Sequence, residues 1–238
     1  DDALYEQTYK LYYYFFNPME QGARDLVSEV YKELVTKYDI DGINYDYCRF
    51  PEANGRGENG VLNDFGYNEN IVNAYKAEYG TDPYTITEDH PEWEQWCHFR
   101  AELINTFIYR ITSELKSIRS DLKISAAVVP DYETAPLIKY QETLDWVEKG
   151  YIDEVFTMSY YVTEDPVIND AQLSQEKINE MAYASTGIGS YLGIPFDMIV
   201  KQLSAIRAQN AASSAIFSLT DLKQNNMGPL FSESIYKE

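Results

Sequence analysis

Short apolar runs alternate with helical patterns along almost the whole chain, and this beat limits the folds open to it. "KLYYYFF" (Lys10 to Phe16), "IDGINYD", "KISAAVV", "IDEVFTMSYY", "GIGSYLG" and "SAIFSLTD" read as strands. Between them, "ARDLVSEVYKELVTKY", "IVNAYKAEYG", "HPEWEQWCHFRAELINTFIYRITSELKSIR", "PLIKYQETLDWVEKG", "DAQLSQEKINEMAYAS" and "FDMIVKQLSAIRAQN" read as helices. In the first helix Leu26, Val27, Val30, Leu34 and Val35 recur near the 3.6-residue period. In the long third helix the apolar face is expected at Trp93, Trp96, Leu103, Phe107 and Ile111. Strand–helix–strand units at spacings of roughly 30 residues imply a parallel sheet. One irregular excursion, "PEANGRGENGVLNDFGYNEN", is rich in Gly and Asn and reads as loop. It opens an inserted segment at about 52–120.

The 238 residues suit a single α/β barrel domain covering the whole chain. The pattern supplies about six strands, against eight for a closed (β/α)₈ barrel. Either two strands lie upstream of Asp1, or the sheet is open. The chain starts at Asp1 without Met, which reads as a processed protein or a fragment. No strand is followed by a GxGxxG turn, which argues against a dinucleotide-binding domain.

Charge narrows the partners. Lys plus Arg number 19 and Asp plus Glu 39, a net charge of -20 at pH 7. Nucleic acids and anionic membrane surfaces need basic patches, so this charge argues strongly against both as partners. A neutral or cationic ligand fits, although most of these acids are accounted for as solvated surface. The 22 Tyr provide faces that stack on flat apolar surfaces and hydroxyls that stay free to hydrogen-bond. Many will simply fill half-buried positions. Cys48 and Cys97 lack CxxC spacing and read as unpaired small hydrophobes, though a single bridge is open to them. Two histidines are too few for a His-based metal site, and no spacing calls for a metal or other cofactor. The loop "NGRGENGVLND" could offer oxygen ligands to Ca²⁺ but lacks the EF-hand acid pattern. No run approaches the ~18 apolar residues of a membrane span.

The stretch "YDIDGINYDYCRFP" (Tyr38 to Pro51) carries polar groups within a strand pattern. Side chains alternate along a strand, so Gly42, Asn44 and Asp46 share one face and Ile43, Tyr45 and Tyr47 the other. In a barrel the polar set must face inward. Asp46 then lies at the strand's C-terminal end, where barrel enzymes carry their active sites. An inward carboxylate is costly unless paired or hydrogen-bonded, and Asn44 and Arg49 are its natural partners. The plainer reading is an Asp–Arg clamp that only holds the loop.

Other strand ends repeat the theme. "SAAVVPD" ends in Asp131, "FTMSYYVTED" carries Tyr160 and Tyr161 before Glu164 and Asp165, and "SLTD" ends in Asp221. Carboxylates at several strand ends suit glycoside hydrolysis, in which one acid protonates the leaving oxygen and another acts as nucleophile or base. No Ser-His-Asp set can be built, because His90 and His98 both lie in the inserted segment. Cys48 has no His near it in sequence and an acidic neighbourhood, which disfavours a nucleophilic role.

"DGINYDYCRFP" closely resembles the DGIH-[FL]-DY-x-R-[YF]-P signature of the glycosyl hydrolase-like 10 family. The likeness runs along almost the whole chain. "FFNPMEQGARDLVSEVYKEL" resembles the family's LNP…R segment and contains Asn17; "YGTDP" followed by "WEQWCHFR" resembles its G-x-DP and W-R elements, with Arg100 as the Arg. "ISAAVVPDY", "LDWVEKGYIDEVFTMSYY", "GIGSYLG" and "SAIFSLTDL" are similar to its later strands, with Thr157-Met158-Ser159-Tyr160 at the P-M-x-Y position. The resemblance implies a (β/α)₈ barrel acting on carbohydrate, usually exported by bacteria to the extracellular space, periplasm or cell surface. It implies that "KLYYYFF" is strand three and "DGINYDY" strand four, with strands one and two upstream of Asp1. It also makes Asp46 the expected nucleophile and Arg49 the family Arg. Asn44 departs from the usual His of the signature.

Three readings follow. In the first the chain is a glycoside hydrolase, retaining, with Asp46 as nucleophile and Asp131 as general acid. Asn17, Asn44, Tyr47, Arg49, Tyr160, Tyr161 and Asp165 then contact sugar, and Glu164 and Asp221 are reserve acids. In the second it is a non-catalytic carbohydrate-binding barrel, a reading motivated by Asn44 and the incomplete strand count. In the third it is an interaction domain whose strand-end acids clamp loops.

Overall fold

The computed structural model describes residues 15–51, 64–178 and 180–234. Most of the expected strand at 10–16, and the loop at 52–63, lie outside these residues; of the candidate Ca²⁺ loop only Asp64 is described, and it pairs with Arg100 and accepts from the Tyr140 hydroxyl. Contacts group the chain into two compact units. The first takes the segments up to Asp41, Tyr47–Leu122 and Tyr132–Glu142; the second takes Gly42–Asp46, Lys123–Asp131 and Thr143–Glu238.

The second unit is built on a five-stranded parallel sheet in sequential order: β1 (Gly42–Tyr45), β2 (Lys123–Val128), β3 (Glu154–Met158), β4 (Tyr183–Gly189) and β5 (Ser214–Phe217). Every neighbouring pair is parallel. The order and the intervening helices are those of a partial (β/α)₈ barrel. Alternation sets the two faces. Ile43 and Tyr45 of β1, Ile124, Ala126 and Val128 of β2, and Val155 of β3 are buried, whereas Asn44 and Asp46 are exposed. Ile188 of β4 joins Val167, Ile199, Leu203 and Ile206 in one apolar cluster. The last four come from helices α6 (Asp165–Ile178) and α7 (Phe196–Ala208), which cover that face. Gly42 is demanded by the close approach of the first two strands, since a Cβ there would lie 2.5 Å from the Lys123 carbonyl oxygen.

The first unit is helical: α1 (Gln21–Lys37), α2 (Glu69–Tyr79), α3 (Trp93–Ile118) and the short α4 (Ala135–Ile138). Helices α1 and α3 are joined by a charged seam on Glu114. It accepts from Ser28, from Arg110 Nε at 2.8 Å and from Lys32 Nζ at 2.9 Å. Those hydrogen bonds pull its carboxyl pKa down to about 2. Of the expected apolar stripe of α1, Val35 is buried and Val27 half-buried, but Leu26, Val30 and Leu34 are exposed among the described residues, and Ser28 is buried. The buried face of α3 includes Trp96 and Ile111 as expected, but runs through Cys97, Arg100, Ala101, Ile104, Ile108 and Leu115.

Several sequence boundaries move: of the expected strand "GIGSYLG" only Gly187–Gly189 is strand and Ser190–Leu192 a 3₁₀ turn, and of "SAIFSLTD" only Ser214–Phe217 is strand. "PLIKYQETLDWVEKG" is not one helix but α4 and α5 (Thr143–Glu148). The break falls at Tyr140, whose φ of 54° is left-handed and whose side chain is fully buried. Burying that ring outweighs the local helical preference. "YAS" (Tyr183 to Ser185), expected at the end of a helix, belongs to β4 instead; α6 stops at Ile178, and Glu180 turns the chain with a φ of 66°. Neither Cys48 nor Cys97 forms a disulfide. Among the described residues, no helix is long and apolar enough to cross a membrane.

Candidate active site

Asp46 follows directly on β1 and Asp131 follows the end of β2, the neighbouring strand. Both are exposed, and both lie at the carboxyl ends of parallel strands. Asn44, one alternation before Asp46, accepts a hydrogen bond from the Ser125 hydroxyl at 2.9 Å. This amide therefore ties β1 to β2.

At the opposite, amino-terminal end of the sheet, the face that carries Asn44 is polar too. Glu154 Oε1 accepts from Ser185 Oγ at 2.6 Å and from Ser213 Oγ at 3.1 Å. This carboxylate is satisfied by two hydroxyls and sits where barrel folds place stability rather than catalysis.

Tyr160 stands just beyond β3, and its ring meets Tyr191, in the turn after β4, and Phe217, the last residue of β5. The three centroids lie 5.7 to 5.9 Å apart. Tyr160 and Phe217 are stacked at an interplanar angle of 18°, and Tyr191 stands at 88° and 84° to them. Two glycines of β4 leave room for these rings. A Cβ on Gly189 would come within 3.0 Å of the Tyr191 ring and 3.3 Å of Tyr160 Cβ; one on Gly187 would come within 3.0 Å of the Thr157 carbonyl oxygen and 3.7 Å of the Tyr160 ring.

Tyr161 has the other alternation and packs against the apolar cluster under α6 and α7. Its loop is held by Gln202 of α7, fully buried, whose amide donates to the Tyr161 and Thr163 carbonyls at 2.9 Å each. Beside Tyr161 lies an acid that sequence reasoning missed, Asp170 of α6. Burial raises its carboxyl pKa, the Ser159 and Tyr161 hydroxyls oppose the shift, and the negative charge of Asp131 adds to it. Its Oδ2 atom is buried without a hydrogen-bond partner among the described residues. Burial likewise raises the Tyr161 phenol, followed by the charges of Asp170 and Asp131. The signal for Asp170 was in the helix period: it falls between Val167 and Ala171 on the buried stripe of α6.

Asp165 is exposed in the first turn of α6, where a carboxylate complements the helix dipole. Glu164 contributes its carbonyl to the first turn of the same helix, through Ile168 N at 2.9 Å. Asp221 accepts from the Ser218 hydroxyl at 2.5 Å at the start of the short helix α8 (Leu219–Gln224). In the first unit, Asn17 donates to Asn70 Oδ1 at 2.9 Å and lines a polar groove of about 410 Å³ with Glu20, Asn68, Glu69 and Asn73. Tyr47 has a left-handed φ of 54°, and the Arg49 guanidinium lies 5.0 Å from its ring centroid. No group of three His, Cys, Asp or Glu among the described residues could hold a metal ion.

The model of the glycosyl hydrolase-like 10 family matches residues 6–211. The chain belongs to this family. No curated protein matches the glycosyl hydrolase-like 10 chain. Among solved structures it is similar to the catalytic domain of β-amylase from Paenibacillus polymyxa, with a TM-score of 0.60 and 11% identity. That likeness covers 87% of this chain, which spans 65% of the length of the β-amylase structure. At such low identity it shows the fold, and the fold is that of a glycosidase-type barrel.

Proposed function

We propose that the chain is a retaining glycoside hydrolase of poly- or oligosaccharides, with Asp46 as nucleophile and Asp131 as general acid. The observation that carries this reading is the placement of both carboxylates just past the carboxyl ends of adjacent parallel strands. Asp46 would attack the anomeric carbon while Asp131 protonates the leaving oxygen. Water would then attack the anomeric carbon and release the Asp46 carboxylate as Asp131 takes its proton. A retaining pair needs carboxyl groups about 5 Å apart, and an inverting pair about 6.5–9.5 Å. A polymeric substrate is too large to enter a cell, so the reading carries an extracellular, periplasmic or cell-surface site of action.

The test uses cellohexaose, maltohexaose and chitohexaose, with NMR of the newly formed anomer. Asp46→Asn should lower kcat about 10³-fold on whichever oligosaccharide the wild type cleaves, with binding kept. Full activity in that variant would remove Asp46 from the chemistry. A second reading, glycan binding without cleavage, is favoured by the Asn44–Ser125 tie, which commits that amide to a strand contact. A wild type that binds a hexasaccharide and releases no reducing ends would establish it.

A further inference from the structure

We infer that Tyr160, Tyr191 and Phe217 form a sugar-stacking subsite that takes a neutral pyranose ring through its C–H face. The inference rests on the carbohydrate reading above and deepens it by naming where one sugar unit sits and which chemistry selects it. The three rings come from the ends of three consecutive parallel strands: Tyr160 beyond β3, Tyr191 after β4 and Phe217 at the end of β5. They occupy the same end of the sheet as Asp46 and Asp131. Tyr191 and Phe217 are 47% and 54% exposed, far more than large rings at the heart of a core.

The cluster is constructed, not incidental. Two near-parallel rings and a third at right angles make a corner with an apolar floor and wall. Gly187 and Gly189 keep the strand beneath clear, and any side chain at Gly189 would displace Tyr191 or Tyr160. The corner is fastened from behind. Ser190 Oγ accepts from Ser218 N at 2.9 Å, bonding the residue before Tyr191 to the residue after Phe217.

Exposed aromatic rings stack on two common kinds of flat ligand, nucleobases and sugar rings. Charge decides between them. A chain with a net charge of -20 repels a polyanionic nucleic acid and leaves a neutral sugar unaffected. Pyranoses with equatorial hydroxyls expose axial C–H groups on their faces, which suit the electron-rich ring faces. Their hydroxyls then point outward, where the phenol groups of Tyr160 and Tyr191 offer polar partners.

Binding of cellohexaose, maltohexaose and chitohexaose to the intact chain, measured by calorimetry in the Asp46→Asn background, tests the inference without requiring turnover. Phe217→Ala and Tyr191→Ala should each weaken the bound hexasaccharide about tenfold. Phe217→Trp should keep the affinity, and Phe217→Leu, which preserves apolar bulk without a ring, should lose it. Affinity kept in Phe217→Leu, or unchanged in both alanine variants, overturns the subsite. So does a wild type that binds none of the three probes, or one that binds a single-stranded oligonucleotide in their place. Thermal unfolding of Phe217→Leu and Phe217→Trp separates a folding role: a common loss of stability in both, with affinity lost in both, also overturns it. Cleavage by a wild type whose KM ignores all these variants would leave the hydrolase reading standing and remove the subsite. Ring-dependent binding in a wild type that cleaves nothing does the reverse.

Discussion

Asp64 in the helical unit and Asp46 in the sheet unit carry the same side chain and do opposite things. Asp64 is enclosed, with its side chain 1% exposed. It pairs with Arg100, itself fully buried, and accepts from the Tyr140 hydroxyl. The Arg100 guanidinium lies 3.8 Å from the Tyr140 ring centroid and 4.5 Å from that of Trp96, and it donates to the Phe65 carbonyl at 2.7 Å. Burial disfavours its charge, but Asp64, Tyr140 and Tyr67 together outweigh that cost and raise its pKa. Asp46, by contrast, stands exposed at a strand end. A carboxylate closed over by a guanidinium and aromatic rings is a clamp. One exposed at the carboxyl end of a parallel strand is placed to meet a ligand. The Arg49 guanidinium lies 5.0 Å from the Tyr47 ring centroid, and the buried clamp of the helical unit is built on Arg100 and Asp64.

The sharpest way to break this contrast is Arg100→Ala. It strands a buried carboxylate, so the variant should lose about 3–5 kcal/mol of stability, read from the urea midpoint. A loss below ~1 kcal/mol would mean the Asp64 pocket is open to water. Asp46→Asn should leave that midpoint within ~0.5 kcal/mol of wild type, as expected for an exposed strand-end residue. A large stability loss there would move Asp46 into the class of Asp64.

Gly189→Ala probes the sheet unit by crowding. Its Cβ would sit 3.0 Å from the Tyr191 ring, so a cost of about 1 kcal/mol and a weaker hexasaccharide affinity are expected. If neither moves, the rings are not set by that glycine.

The smallest effect concerns Asp170. Its folded carboxyl pKa is raised, so its ionised form opposes folding, and the favourable protonated contribution is lost as pH rises through the folded pKa. Asp170→Asn should therefore raise Tm at pH 7, and the gain should shrink as pH falls and vanish below the ordinary value of 3.8. A gain that is independent of pH would mean the carboxyl is not the source.

Alternation made the sheet legible. The parity that sets Ile43 and Tyr45 on one face of β1 and Asn44 and Asp46 on the other could be read directly, because side chains alternate along a strand; the face expected to point into the barrel is the exposed one in the five-stranded sheet. The barrel-type fold followed from the repeat of such strands with helices. Local reading failed where partners are distant in the chain. Tyr140 breaks a helical pattern to reach Asp64, and Arg100 is hidden on a helix face whose expected apolar positions lay a step to one side. The Tyr160–Tyr191–Phe217 corner joins residues from three strand ends, which no spacing rule reports. Asp170 left a trace, an acid on a buried stripe, but only a charge-against-burial test of α6 would have found it.

The two compact units also share the chain in an unusual way. It passes between them five times, at 41/42, 46/47, 122/123, 131/132 and 142/143. No single cut releases either one as a contiguous polypeptide, and the strand that delivers Asp46 is a five-residue loan, Gly42–Asp46, from a stretch otherwise belonging to the helices. Truncation is thus the wrong tool for dissecting this protein. Proteolysis or deletion would be expected to abolish sheet and helices together, in one cooperative loss, whereas point substitutions can address each on its own.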